Sequence, residues 1–84
     1  MTGNYESLEK YLRGLPVSQE DITLTFTFIE QLLNESLPAS AKQENGWWGN
    51  QKQGTQVESI AWMDAGWLVD IVDIREKWVR FVRQ

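Results

Sequence analysis

Apolar residues near the start of the chain recur at helical spacing. Tyr5, Leu8, Tyr11, Leu12 and Leu15 form one stripe, with Glu6, Glu9, Lys10 and Arg13 around the other side. This predicts a helix over residues 5–15, ended by Gly14 and Pro16. Glu6 with Lys10 and Glu9 with Arg13 stand four residues apart in the favourable order. The period then changes to two. Ile22, Leu24 and Phe26 alternate with Thr23 and Thr25, which predicts a short half-buried strand over 22–26. Thr27-Phe28-Ile29-Glu30 has the spacing of a capping box, and Ile29, Leu32 and Leu33 give the next helix its apolar face. Asn34 suits a left-handed terminator.

Leu37-Pro38-Ala39-Ser40 reads as a turn into a third helix that runs to about Trp48, with Ser40 to Gln43 as a second capping box. Asn50 to Gly54 reads as a loop, and Thr55 to Ala65 as a short helix stopped by Gly66. In the last part, Trp67, Val69 and Ile71 alternate with Leu68, Asp70 and Val72. Trp78 to Arg83 returns with Val79 and Phe81 on one face, after a charged connection over 74–77. The two runs predict an antiparallel hairpin. The order of elements predicts a single α+β domain over residues 1–84, winged helix-turn-helix-like. It has three or four helices plus a C-terminal β-hairpin, and the early strand is able to pair with that hairpin.

Four of the five Trp lie between positions 47 and 67, in Trp47-Trp48-x-Asn50 and Ala61-Trp62-x-x-Ala65-Gly66-Trp67. Indoles bury large areas, so this density implies an aromatic core or a stacking surface. Trp62 and Trp67 read as core, with small Ala65 and Gly66 letting the indoles approach and Gly66 permitting a positive-φ turn into the strand. Trp47 and Trp48 carry two readings. Either one enters the core while the other lines a groove, or one stacks on a base beside Asn50. A chain of 84 residues without Cys needs such burial, because it closes off only roughly 60–65% of its unfolded surface and has no disulfide to help.

These residues resemble a known group. Ile22-Thr23-Leu24-Thr25-Phe26, the turn Leu37-Pro38-x-Ser40-Ala41, Trp47-Trp48-x-Asn50 and Ala61-Trp62-x-x-Ala65-Gly66-Trp67 before a Val-Asp strand are similar to a small family of bacterial and phage proteins. That family is described only as a domain of unknown function. The resemblance covers roughly residues 5–82 and implies a winged-helix-like fold; it implies no settled activity.

Chemistry is narrowed mainly by exclusion. With no His and no Cys, the Ser-His-Asp, Cys-His and common zinc arrangements are out of reach, and the scattered Gly make no phosphate loop. Asp70, Asp73, Glu76 and Lys77 are the nearest carboxylate cluster. Strand alternation would put Asp70 and Asp73 on opposite faces, which suits a charged turn better than a metal site. No catalytic residue, cofactor or metal is expected. Neither a signal peptide nor a membrane span is expected, and the location implied is cytoplasmic.

Charge distribution supplies the partner hypotheses. The net charge is −4; residues 1–39 carry two basic and six acidic side chains, while residues 40–84 carry six of each. Lys42, Lys52, Arg75, Lys77, Arg80 and Arg83 would form a phosphate-contacting edge if the third helix and the hairpin lay side by side. The first reading is therefore a non-enzymatic DNA-binding winged-helix module, a small phage or bacterial regulator. Ser40, Lys42, Gln43, Asn45, Trp47, Asn50 and Lys52 would sit on or after the reading helix, with Arg75 and Lys77 on the wing. Net −4 implies weak, salt-sensitive binding, or binding as a dimer or within a complex. The alternative is an acidic protein-binding module that presents Glu6, Glu9, Glu20, Asp21, Glu30 and Glu35. A phage-type inhibitor of a host defence nuclease, or a subunit of a larger complex, would be of this kind.

Overall fold

Residues Gly3–Arg13 form a helix, α1, and Leu8 and Leu12 on its apolar stripe are buried. The computed structural model describes residues 3–49 and 57–84, with side chains over 5–49 and 61–84. Of the two expected surface pairs on α1, Glu9 and Arg13 join at 2.7 Å, while Glu6 and Lys10 form no ion pair among the described residues. Gly14 closes the helix by donating its N–H to the Lys10 carbonyl at 3.0 Å.

Strand β1 spans Asp21–Thr25 and passes directly into α2, Phe26–Leu33. The cap of α2 differs from the expected Thr27. Thr25, with extended backbone, accepts the Phe28 N–H on its side-chain oxygen at 3.0 Å. The helix starts two residues early because Phe26 is buried and the chain must turn where the sheet ladder ends. Asn34 ends α2 as its sequence suggests, in the left-handed region at φ 62° and ψ 33°.

The expected third helix is divided. Helix α3 covers only Ala39–Gln43, then Glu44 extends at φ −127°, and a 3-10 turn covers Asn45–Trp48. Pro38 occupies the cap, so Ser40 lies inside the helix and makes no capping box. The break lets Trp48 swing back and donate its indole N–H to the Ala41 carbonyl at 2.9 Å. Helix α4, Val57–Asp64, follows, and Gly66 at φ 93° turns the chain into β2, Trp67–Asp73. A Cβ on Gly66 would meet nothing within 4 Å. The glycine serves the positive-φ turn expected of it; the other expected role, letting indoles approach, is not seen.

Strand β3, Trp78–Arg83, is central in an antiparallel sheet of order β1-β3-β2. The early strand thus pairs with the hairpin. The fold is α+β, with four α-helices among the described residues and a three-stranded sheet. Expected alternation in β2 fails at one point. Val69 pairs with Phe81 but Ile71 pairs with Arg80, so Asp70 is an extra residue, a bulge. Phases therefore reverse: Val72, opposite buried Val79, joins the core face, and Ile71 is 49% exposed.

Aromatic rings tie the helices to the sheet. Phe26 stacks on Trp48 at 5.4 Å, Trp48 stacks on Trp62 at 5.8 Å, and Trp62 meets Phe81 edge-on at 5.7 Å. Each such pair adds roughly 0.5–1.5 kcal/mol beyond its buried area. One column of rings thereby joins α2, the 3-10 turn, α4 and β3. Trp67 is fully buried beside it and donates its indole N–H to the Leu12 carbonyl of α1 at 3.1 Å.

Candidate nucleic-acid interface

The structure spreads the expected binding residues over separate places. Lys42 leaves α3 toward α2 and meets the Glu30 carboxylate at 3.0 Å. The same Glu30 oxygen accepts the Leu37 N–H at 2.8 Å. Glu30 thus pins the turn between α2 and α3. The Leu37 N–H and then the Lys42 ammonium hold its carboxyl below the ordinary carboxylate value. This role was missed because Glu30 was paired with Thr27 in a capping box. Its true partners lie seven and twelve residues further on, beyond any local motif.

Gln43 and Asn45 are exposed and Ser40 is half-buried. Asn45 borders β2, sharing an open hollow of about 410 Å³ with Trp48, Gly49 and residues 69–72. Trp48 is the indole that enters the core, at 2% exposure. Trp47 is half-buried, edge-on to Trp48 at 4.7 Å and tilted over Tyr5 of α1 at 6.5 Å. One edge of Trp47 therefore still meets solvent. Asn50 and Lys52 lie outside the described residues.

Two of the basic residues expected on a phosphate edge serve the fold instead. Arg80 sits on the uncovered sheet face between the carboxylates of Asp21, at 3.2 Å, and Asp70. Asp70 keeps the outward face that alternation gave it, beside Arg80, and the bulge brings Asp73 to that face as well, opposite Trp78. Arg83 lies over the Trp67 ring at 4.3 Å and donates to the Gln19 carbonyl at 3.2 Å and the Pro16 carbonyl at 2.6 Å. It clamps the loop between α1 and β1 onto the end of the sheet.

Arg75 and Lys77 differ from these. Both are exposed on the β2–β3 turn, and neither has an anionic partner among the described residues. The turn is well built. Asp73 accepts the Glu76 N–H on its carboxylate at 2.9 Å and the Lys77 N–H on its carbonyl at 2.7 Å. Lys77 itself takes φ 64°, and its carbonyl accepts the Phe26 N–H at 2.9 Å, which anchors the turn to the start of α2.

No group of three or more carboxylates among the described residues is placed to hold a metal ion. No helix among them is long and apolar enough to cross a membrane. The sequence profile of one family, Domain of unknown function (DUF7662), matches residues 5–84. The chain belongs to that family. No curated protein and no solved structure matches it. Within this DUF7662 domain the match runs from α1 through β3, so the aromatic column, the Glu30 turn and the hairpin all fall inside it.

Proposed function

We propose that this protein is a non-enzymatic, winged-helix-like module that touches duplex DNA with the turn of its hairpin. The observation that carries the reading is the contrast among cations. Arg13, Lys42, Arg80 and Arg83 are bound within the fold; among the described residues Lys10 on α1 and Arg75 and Lys77 have no anionic partner, and the last two stand together at the hairpin tip. Lys77 also holds a left-handed backbone that Gly or Asn would adopt at less cost, so a lysine there suits a charge requirement better than a folding one. The order helix, strand, helices, hairpin and the sheet order β1-β3-β2 support the likeness to winged helices, whose hairpin lies on the DNA backbone while a helix enters the groove. The hairpin turn is the contact on which this reading stands; α3 is short and its Lys42 is held by Glu30.

Two phosphate contacts give a log–log salt slope of about −1.8, so binding is weak and confined to low salt. The test is a mobility shift over a salt series, comparing the native chain with Arg75→Ala/Lys77→Ala. The double variant should weaken binding to every duplex alike and flatten the slope by about 1.8. Undetectable duplex binding by the native chain at low salt removes the reading.

A further inference from the structure

The two outer strands of the sheet are finished differently. The outer side of β2 carries the bulge at Asp70 and is bordered by Asn45, Trp48 and Gly49. A bulge and a covering segment are two ways in which proteins close a sheet edge. Among the described residues β1 has neither a bulge nor a covering strand.

The direction of its main-chain groups follows from the ladder. Arg83 donates to the Glu20 carbonyl and Phe26 donates to the Lys77 carbonyl, both at 2.9 Å. Bonded pairs in an antiparallel ladder recur every second residue. Ile22 opposite Phe81 and Leu24 opposite Val79 are in phase with these, so their N–H and C=O groups turn toward β3. Asp21, Thr23 and Thr25 therefore turn theirs away from the sheet. The Gln19 side-chain amide reaches the Asp21 carbonyl at 3.1 Å, as that geometry requires. Among the described residues nothing bonds the outward groups of Thr23 or the outward N–H of Thr25.

An apolar groove runs beside this edge. It is open, about 330 Å³, and lined by Tyr11, Ile22, Leu24 and Phe28 with the two threonines. Tyr11 and Phe28 meet edge-on at 5.3 Å and form its aromatic wall. Glu20, exposed just before β1, has no basic partner among the described residues. A basic side chain at the matching end of an added strand would meet the Glu20 carboxylate.

We propose that the open edge of β1 and the groove beside it bind an extended segment of a partner protein, with apolar side chains at alternate positions and a basic residue lying against Glu20. The segment adds a strand to β1 through Thr23 and Thr25, and its inward side chains fill the groove. The site stands apart from the DNA reading, because it uses neither Arg75 nor Lys77.

The probe is a displayed library of short peptides with alternating apolar positions and terminal lysines, selected on the native chain. Each enriched peptide is labelled and measured by fluorescence anisotropy. Thr23→Pro removes only an outward N–H and leaves the β1–β3 ladder intact, as proline on an edge strand does. It should weaken binding by about tenfold or more, since a lost ladder bond and a blocked approach each count. Glu20→Lys, an exposed change, should weaken the lysine-bearing peptides most at low salt. If Thr23→Pro fails to fold, amide exchange on the native chain replaces it, with Thr23 and Thr25 expected to slow on peptide addition. Three outcomes overturn the proposal: no enrichment over a scrambled pool, equal binding by folded Thr23→Pro with unchanged amide exchange, or a native dimer that Thr23→Pro separates.

Discussion

Trp48 donates its indole N–H to the carbonyl of Ala41 across the break at Glu44, at 2.9 Å, with both residues buried. The bond connects the end of the 3-10 turn to α3 and sets the ring in the stack between Phe26 and Trp62. Trp48→Phe keeps an aromatic ring but leaves a buried carbonyl without its donor. The expected loss is about 2 kcal/mol, or roughly 8–16 °C in Tm for a domain of this size. A thermal melt checks it; an unchanged Tm would mean that the bond contributes nothing net.

Arg83 is expected to behave as a structural residue. Arg83→Lys keeps the charge but loses the planar fork that covers Trp67 while reaching two carbonyls. Both Arg83→Lys and Arg83→Ala should cost about 1–2 kcal/mol in urea unfolding. Full stability in Arg83→Lys would show that charge alone suffices.

Stability should also depend on pH through Glu30. Its folded pKa is lowered by the Leu37 N–H and Lys42, so the unfolded chain binds a proton first as pH falls. The contribution is fully present above the ordinary glutamate value of about 4.3, and it is lost as pH falls through the folded value. Glu30→Gln should flatten that part of the stability curve between pH 6 and about 3. Urea midpoints across this range decide the matter, and identical curves would contradict the assignment.

Two backbone positions should respond in opposite ways. Gly66→Ala places a Cβ at φ 93° and should destabilise by about 1–2 kcal/mol despite open space around it. Lys77→Gly relieves a left-handed lysine and should stabilise by about 0.5–1 kcal/mol, while weakening any DNA binding at the hairpin tip. Melts of the two variants, with a mobility shift for the second, test both signs.

Local pattern was enough for most of the elements, though not for the division of the third helix at Glu44. The stripe of α1, the alternation of β1 and β3, the Asn34 terminator and the Gly66 turn are each encoded by neighbours within a few residues, where helical and strand periods act. The Trp-rich stretch left a core and a stacking surface both open, with Trp62 and Trp67 read as core, where they are. Pairings over long separations were a different matter. Whether Lys42 was free depended on Glu30, and whether Arg83 was free depended on Pro16, Gln19 and Trp67. A charge in the sequence looks the same whether it faces solvent or a carboxylate. The bulge at Asp70 was also beyond local pattern, because register is decided by how two strands and the core behind them fit together. So the chain's own order of residues specified most of the segments that are helix and strand. Packing alone decided which cations project unpaired and which strand edge lies open, since both depend on what folding brings alongside.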